Sequence, residues 1–323
     1  MIAHRILIIG LDGIGEASFT KARRMGLMPF WDGLRTDSLY GTLHSVMPYI
    51  TPVAWSSFHT GCEPVKHGVL DWRVYDRFNR TDAIGVRAMI RKPTIWQWAS
   101  QHGRRVACLG VPMCYPPDEV NGVMVSGFDT PLETDDFAYP KPLAAELRKS
   151  IADFSLLPKT NYGSRRRADL ARTVEQAKDS LRVRADLFEH VVRRETFDLA
   201  MIQFQSTDWV QHRAWMYIDP HPLFPIDPQR EALTLGFFAA LDETLRRVLT
   251  VAEDRFDTIC ILSDHGFGRG LGTVYPNVLL KEMGLLTAHD EDIPPAEASR
   301  THEPWFCKVP LVGSKLDTLR RVR

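Results

Sequence analysis

Cysteine is scarce in this chain and badly placed for cross-linking. Among 323 residues there are five, Cys62, Cys108, Cys114, Cys260 and Cys307, at irregular spacing and without a CxxC pair. An odd, scattered set excludes a disulfide framework and a cysteine zinc site, so all five read as free thiols. Long apolar runs are missing too. The ILIIGL run near the N-terminus is too short for a signal-peptide core and no small-residue cleavage site follows it. No stretch approaches the roughly 18 apolar residues of a membrane helix. A cytoplasmic location with no membrane segment is the expectation. There is no excess of charge: Lys plus Arg and Asp plus Glu are 40 each, for a formal net charge of zero. Nucleic-acid proteins carry a basic surplus, so no nucleic-acid partner is expected. Internal repeats and low-complexity tracts are also lacking, which excludes solenoids and arrays.

What is present is an ordinary globular composition, 44% hydrophobic and 25% charged. The length suits one large α/β domain, or a core carrying a substantial insertion. Apolar runs of strand length recur at Ile6–Leu11, Val106–Val111, Val123–Ser126, Leu199–Phe204 and Thr258–Leu262. Continuous runs of this kind suit strands of a parallel sheet covered on both faces. Helical patterns alternate with them. Thr94–His102 ends at Gly103, a C-terminal cap, and Asp227–Ala252 places Leu233, Phe237, Leu241, Leu245 and Val248 on one stripe. The alternation predicts a doubly wound, mostly parallel sheet flanked by helices. Residues 133–195 break the rhythm. They hold no strand-like run and one long charged helix candidate, Ser164–Glu195, with Leu170, Val174, Ala177, Leu181, Ala185 and Phe188 on one side. The expected organisation is a core of residues 1–132 and 196–323 with 133–195 as a helical cap insertion. Arg165, Arg166 and Arg167 at the helix start are either a solvated face or an anion-attracting rim.

The chemistry gathers just past strand ends, where open α/β sheets bind ligands. Asp12 ends the first strand. Asp208 and His212 follow the strand Leu199–Phe204, and Asp264 and His265 follow the strand Thr258–Leu262. Carboxylates with imidazoles make a donor set suited to zinc or manganese. Asp208 and His212 share one face if their turn is helical. Each feature alone has a bland reading, such as a helix cap or a turn residue; together they point to a metal centre. Thr51 precedes Pro52, which predicts extended backbone at Thr51 and a helix beginning near Ala54. A hydroxyl at a helix start beside cations is placed to attack phosphorus. Its bland alternative is an N-cap. Ser56 and Ser57 are rival nucleophiles that would lie inside the helix.

These segments resemble the alkaline phosphatase superfamily, and within it the type I phosphodiesterase/nucleotide pyrophosphatase branch. The matching pieces are ILIIGLDG, TPVAWSSFHTGCEPVKHG, VSGFDTP, FQSTDWVQH and SDHGFG, in family order from Ile6 to Gly268. The resemblance implies an alkaline phosphatase-like core and two divalent metal ions, usually zinc. It assigns one ion to Asp12, Thr51, Asp264 and His265, and the other to Asp208, His212 and a further late histidine. Only His289 and His302 follow His265; His302, in SRTHEPW, is the better candidate for that ligand. Thr51 would attack phosphorus in line, form a phospho-threonine and be released by water. Sulfatases of the same superfamily hold an oxidised cysteine where Thr51 falls, so sulfate esters are disfavoured. The nucleotide pyrophosphatases use an asparagine about twenty residues past the nucleophile, and a gapless reading puts Trp72 there, beside Asp71. Relatives usually continue well past the position of Arg323, so the late histidine is expected either at His302 or outside this sequence.

The expected function is therefore metal-dependent hydrolysis of a small-molecule phosphate ester. Two other readings stay open: a phosphotransferase or mutase that passes the phosphoryl group to an alcohol, and a truncated relative that binds metal or phosphate without turnover.

Overall fold

The computed structural model describes residues 4–76, 81–84, 87–131, 134–157, 169–223, 225–270 and 274–287. Arg165–Arg167, His289, His302 and Cys307 lie outside the described residues. Two compact units are distinguished, Met1–Lys159 with Leu170–Gly268, and Thr160–Asp169 with Arg269–Arg323.

The first unit opens with strand β1 (Ile6–Leu11) and helices α1 (Glu16–Arg24), α2 (Pro29–Asp37), α3 (Thr51–Thr60) and α4 (Pro64–His67). A hairpin, β2 (Arg73–Asp76) and β3 (Thr81–Ile84), and helix α5 (Ile95–Gln101) come next. Strands β4 (Val106–Val111), β5 (Gly122–Ser126) and β6 (Ala138–Tyr139) lead into α6 (Pro142–Ser150) and α7 (Asp169–Val192). Strand β7 (Leu199–Phe204), helices α8 (Ser206–Ile218) and α9 (Pro228–Ala252), and strand β8 (Thr258–Leu262) complete it. In the second unit, α10 (Pro276–Glu282) closes on Gly284, whose φ of 72° lets the chain turn out of the helix.

The six-stranded sheet runs β6-β5-β4-β7-β1-β8 and is parallel apart from β6. Every residue of β4 and β7 is buried, as their nearly continuous apolar runs require. One face holds Leu7, Ile9, Leu11, Ala200, Ile202 and Phe204 against apolar stripes of α7 and α9. The other holds Ile8, Cys108, Met124 and Met201 against Trp55 and Trp96. Helices on both faces of a mostly parallel sheet are the architecture expected from the alternation. The boundaries of β1, β4, β7 and β8 coincide with the apolar runs, and Asp227 caps α9 by accepting from the Gln229 and Arg230 N–H groups.

Four details differ from expectation. Thr51 is not extended: it is the first residue of α3, and the extended residue is Ile50, with φ −131° and ψ 144°. Pro52 is tolerated there because a first-turn N–H has no intrahelical partner to lose. The second difference is that, among the described residues, β8 is not covered on both faces. Among them it is an edge strand, and Ile259 is exposed. Third, residues 133–195 do contain a strand: β6 adds antiparallel to β5. The predicted stripe of α7, Val174, Ala177, Leu181, Ala185 and Phe188, is buried in the same core as the sheet. Finally, the hairpin β2–β3 carries no alternating apolar pattern that would have announced it.

His59 on α3 is an acid-sensitive point of this fold. Its ring is buried, stacks on Trp96 and has no hydrogen-bond partner on either nitrogen. Burial, with the positive charges of Arg87 and His67, pushes its pKa down from 6.5 to about 3. The unfolded imidazole takes up a proton well before the folded one, so its contribution is complete above 6.5 and declines as pH falls toward 3. The loss is about 1.4 kcal/mol per pH unit in that window. Urea unfolding of chelator-treated protein at pH 7 and pH 4.5 measures it. His59→Phe keeps the stacking and should lose about 2 to 3 kcal/mol less than wild type over that interval; equal losses would place the acid sensitivity elsewhere.

Candidate active site

The sheet order brings the chemistry together. β1 lies between β7 and β8, so the residues that follow these three strands meet at one edge. The turn after β1 is stitched to its neighbours. Asp12 N–H donates to the Phe204 carbonyl at 3.2 Å, and Thr207 Oγ1 donates to the Asp12 carbonyl at 2.7 Å. Gln211 Nε2 donates to the Gly13 carbonyl at 2.8 Å, while Ser18 Oγ donates to Gln211 Oε1 at 2.6 Å. Gly13 has φ 68°, and a Cβ there would stand 2.9 Å from Asp208 Oδ1, so both conformation and space call for glycine.

Four side chains converge, and three of them, Asp12, Asp264 and His265, have one polar atom anchored away from the point of convergence. Asp12 is fully buried; its Oδ2 accepts from Trp55 Nε1 at 2.7 Å and Gln203 Nε2 at 2.8 Å. Asp264 Oδ1 accepts from Gly13 N–H at 3.1 Å, and its buried Oδ2 has no hydrogen-bond partner. His265 donates from Nδ1 to the Gly266 carbonyl at 2.9 Å, which leaves Nε2 with its lone pair. Thr51 Oγ1 lies 3.4 Å from Asp12 Oδ1 and 3.3 Å from His265 Nε2. His265 Nε2 in turn is 3.8 Å from Asp12 Oδ1 and 3.4 Å from Asp264 Oδ2. Ligands at about 2.0–2.2 Å around a tetrahedral ion stand roughly 3.3–3.6 Å apart; three of these separations fall in that range and the Asp12–His265 one, at 3.8 Å, is slightly wider. Asp12, Asp264 and His265 form a cluster able to hold such an ion.

Asp208 and His212 sit one turn apart on α8, as the spacing predicts, with Oδ2 and Nε2 3.4 Å apart. Asp208 is buried and its Oδ1 has no hydrogen-bond partner. The His212 ring stands edge-on to Phe267 at 4.9 Å. Three buried carboxylates therefore share one edge. Burial, then the charges of Asp264 and Asp208, raises the Asp12 carboxyl well above its usual range. Burial lifts Asp264 to about 6 despite His265 and the Gly13 N–H. A cation between them would relieve this repulsion and satisfy the two orphaned oxygens, so the residues present fit a divalent metal. Ser56 is buried inside α3, and Ser57 is tied to the Val53 carbonyl and His67 Nε2, so neither is placed as the nucleophile. A cleft of about 600 Å³ adjoins His265, lined by Glu16, Tyr40, His44, Tyr49 and Phe267 among others.

Sequence reasoning missed Trp55 and Gln203. The signal was there for Gln203, a polar residue inside the buried run LAMIQF. Trp55 gave none, because a tryptophan on an internal helix reads as core.

The type I phosphodiesterase/nucleotide pyrophosphatase family model matches residues 6–314. The chain belongs to that family. The resemblance carried by the five motifs is thereby shown over nearly the whole sequence. Among solved structures, this family member is similar to phosphonoacetate hydrolase from Sinorhizobium meliloti 1021 in complex with phosphonoacetate, with a TM-score of 0.54 and 18% identity over 91% of this chain. It is also similar to murine ectonucleotide pyrophosphatase/phosphodiesterase 5, crystallised as an inactive threonine-to-alanine variant with AMP, with a TM-score of 0.50 and 11% identity over 81% of this chain. At these identities the likeness establishes the alkaline phosphatase-like fold. The alignments span 66% and 57% of those two longer chains. No curated protein matches significantly. Among the described residues, no helix is long and apolar enough to cross a membrane.

The clustered carboxylates give Asp264→Asn effects of opposite sign. In chelator-treated protein at pH 8 the substitution removes one buried charge and should raise unfolding stability by about 1–3 kcal/mol. With zinc present it should weaken binding at least tenfold, as should His265→Ala. Unfolding curves with and without zinc, together with calorimetric titration, check both signs. A chelated variant less stable than wild type would mean the carboxylates do not repel.

Proposed function

We propose that this family member is a metal-dependent hydrolase of phosphate esters with Thr51 as its nucleophile. The observation that carries the reading is the convergence of Thr51 Oγ1 on Asp12 Oδ1 and His265 Nε2 at the start of α3. The threonine-to-alanine change that inactivates the murine relative supports it, as do the phosphoryl and phosphonyl ligands of the two similar structures.

Asp12, Thr51, Asp264 and His265 would hold one ion, and Asp208 with His212 the other, both zinc by preference and manganese as the alternative. The His302 proposed to complete the second set lies outside the described residues. When bound, the ions supply Lewis-acid stabilisation of the attacking and leaving oxygens. The chain's own part is to aim the hydroxyl. Thr51 points its Oγ1 at Asp12 Oδ1, and the positive end of the α3 dipole favours negative charge at that oxygen. Attack on phosphorus forms the Thr51–O–P bond and breaks the bond to the leaving alcohol; water then cleaves the phospho-threonine. The cleft beside His265 gives the ester's organic group room. Residues 1–132 and 196–323 are proposed as the catalytic core and 133–195 as an insertion, helical for most of its described length, between β5 and β7. A small-molecule ester is the proposed partner, and nucleic acid is not.

A Thr51→Ala variant should lower turnover of a chromogenic phosphodiester by at least 1000-fold with unchanged unfolding stability, on the order expected for a lost nucleophile. Thr51→Ser should retain part of the activity. Chelation should abolish turnover, and zinc or manganese should restore it. Wild-type rates in Thr51→Ala would reject the mechanism. Product that appears only with an added alcohol would identify a transferase, and metal binding without turnover a non-catalytic relative.

A further inference from the structure

We propose that Trp55 and Gln203 are positioning residues that clamp Asp12 Oδ2, so that Asp12 meets a metal ion through Oδ1 alone. The inference rests on the reading of Asp12 as a ligand and goes beyond it. Both donors reach the same oxygen, at 2.7 and 2.8 Å, while Oδ1 faces Thr51 and His265. Neither donor can reverse its role. The indole N–H has no acceptor capacity. Turning the Gln203 amide over would set its oxygen against the Asp12 carboxylate, which can only accept. Both donors are neutral. A lysine or arginine in their place would hold the carboxylate equally well and repel the cation.

The fold makes room for this clamp. Trp55 lies fully buried against β1, and a Cβ on Gly10 would come within 2.6 Å of the indole ring. Trp55 is also one turn past Thr51 on α3, so one helix places both the hydroxyl and the clamp. With Oδ2 engaged twice, the carboxylate can neither rotate nor chelate through both oxygens. One-oxygen binding suits a four-coordinate ion, whereas larger ions such as calcium collect six to eight oxygens and use bidentate carboxylates.

Cobalt(II) is the probe, because its visible d–d absorption is intense in four-coordinate sites and weak at higher coordination number. One equivalent of cobalt(II) is added to wild type, Trp55→Phe, Gln203→Met and Asp12→Asn, and affinities are measured by zinc competition. The expected result is an intense band in wild type and a weaker one in Trp55→Phe and Gln203→Met. Zinc affinity should fall about 10- to 100-fold in each, as for other outer-shell partners. Unfolding of the chelated variants separates a purely structural role, which would lower stability while spectrum and affinity stay as in wild type; that outcome overturns the proposal. If Trp55→Phe does not fold, Gln203→Met carries the test. If Asp12→Asn also binds as wild type does, Asp12 is no ligand and the underlying reading falls with the clamp. If Asp12→Asn alone loses the ion, the reading stands and the clamp is rejected.

Discussion

Three carboxylates are buried within reach of one another at one edge of the sheet, and the rest of the site answers to that constraint. Left alone, Asp12, Asp208 and Asp264 repel and two of their oxygens go unpaired. Burial of unpaired charge is among the costliest things a fold can do, and a cation among these carboxylates is one arrangement that would offset it. The histidines fit the same logic. His265 has its Nδ1 bound to a backbone carbonyl, and His212 Nε2 stands 3.4 Å from Asp208 Oδ2, so each brings a ring nitrogen to the carboxylates.

Strand order turns this constraint into geometry. Parallel strands deliver their C-terminal ends to the same edge, and placing β1 between β7 and β8 makes neighbours of the three ends that carry the candidate ligands. Precision then comes from polar stitching rather than from the core. The bonds from Thr207, Gln211 and Gly13 fix the turn after β1 from three directions. Thr51 arrives on a separate helix, set against the sheet by Trp55 and capped in extended geometry by Ile50.

The sheet was legible because two-sided burial writes itself as nearly continuous apolar runs; β4 is such a run end to end, and β7 is one apart from Gln203. The candidate ligands were legible because Asp and His beside Gly, after strands, have no core role. What stayed hidden depends on partners that sequence does not order in space. Ala138–Tyr139 is too short to carry a period, yet it pairs with β5 once α6 packs beside it. Thr51 was misread as extended because the pre-proline rule outweighed the tolerance of a first helical turn for proline. Trp55 looked like core and is core; that its N–H also grips Asp12 follows only from the close approach that Gly10 permits.

A site built this way couples stability to occupancy. The burial, and with it the repulsion, that lifts the Asp12 and Asp264 carboxyls is a cost carried by the folded chain alone, since the carboxylates hydrate and separate on unfolding. A ligand that binds only the folded state returns that cost as stabilisation, which grows with the logarithm of one plus the ratio of its free concentration to Kd. The donors on Asp12 shape how the return is made. Two neutral hydrogen bonds lower the cost of keeping Asp12 ionised while leaving its charge for the ion, whereas a salt bridge would have spent that charge. The same bonds give Gln203 a partner in a buried strand: its amide donates to the Asp12 carboxylate while its Oε1 has no hydrogen-bond partner among the described residues.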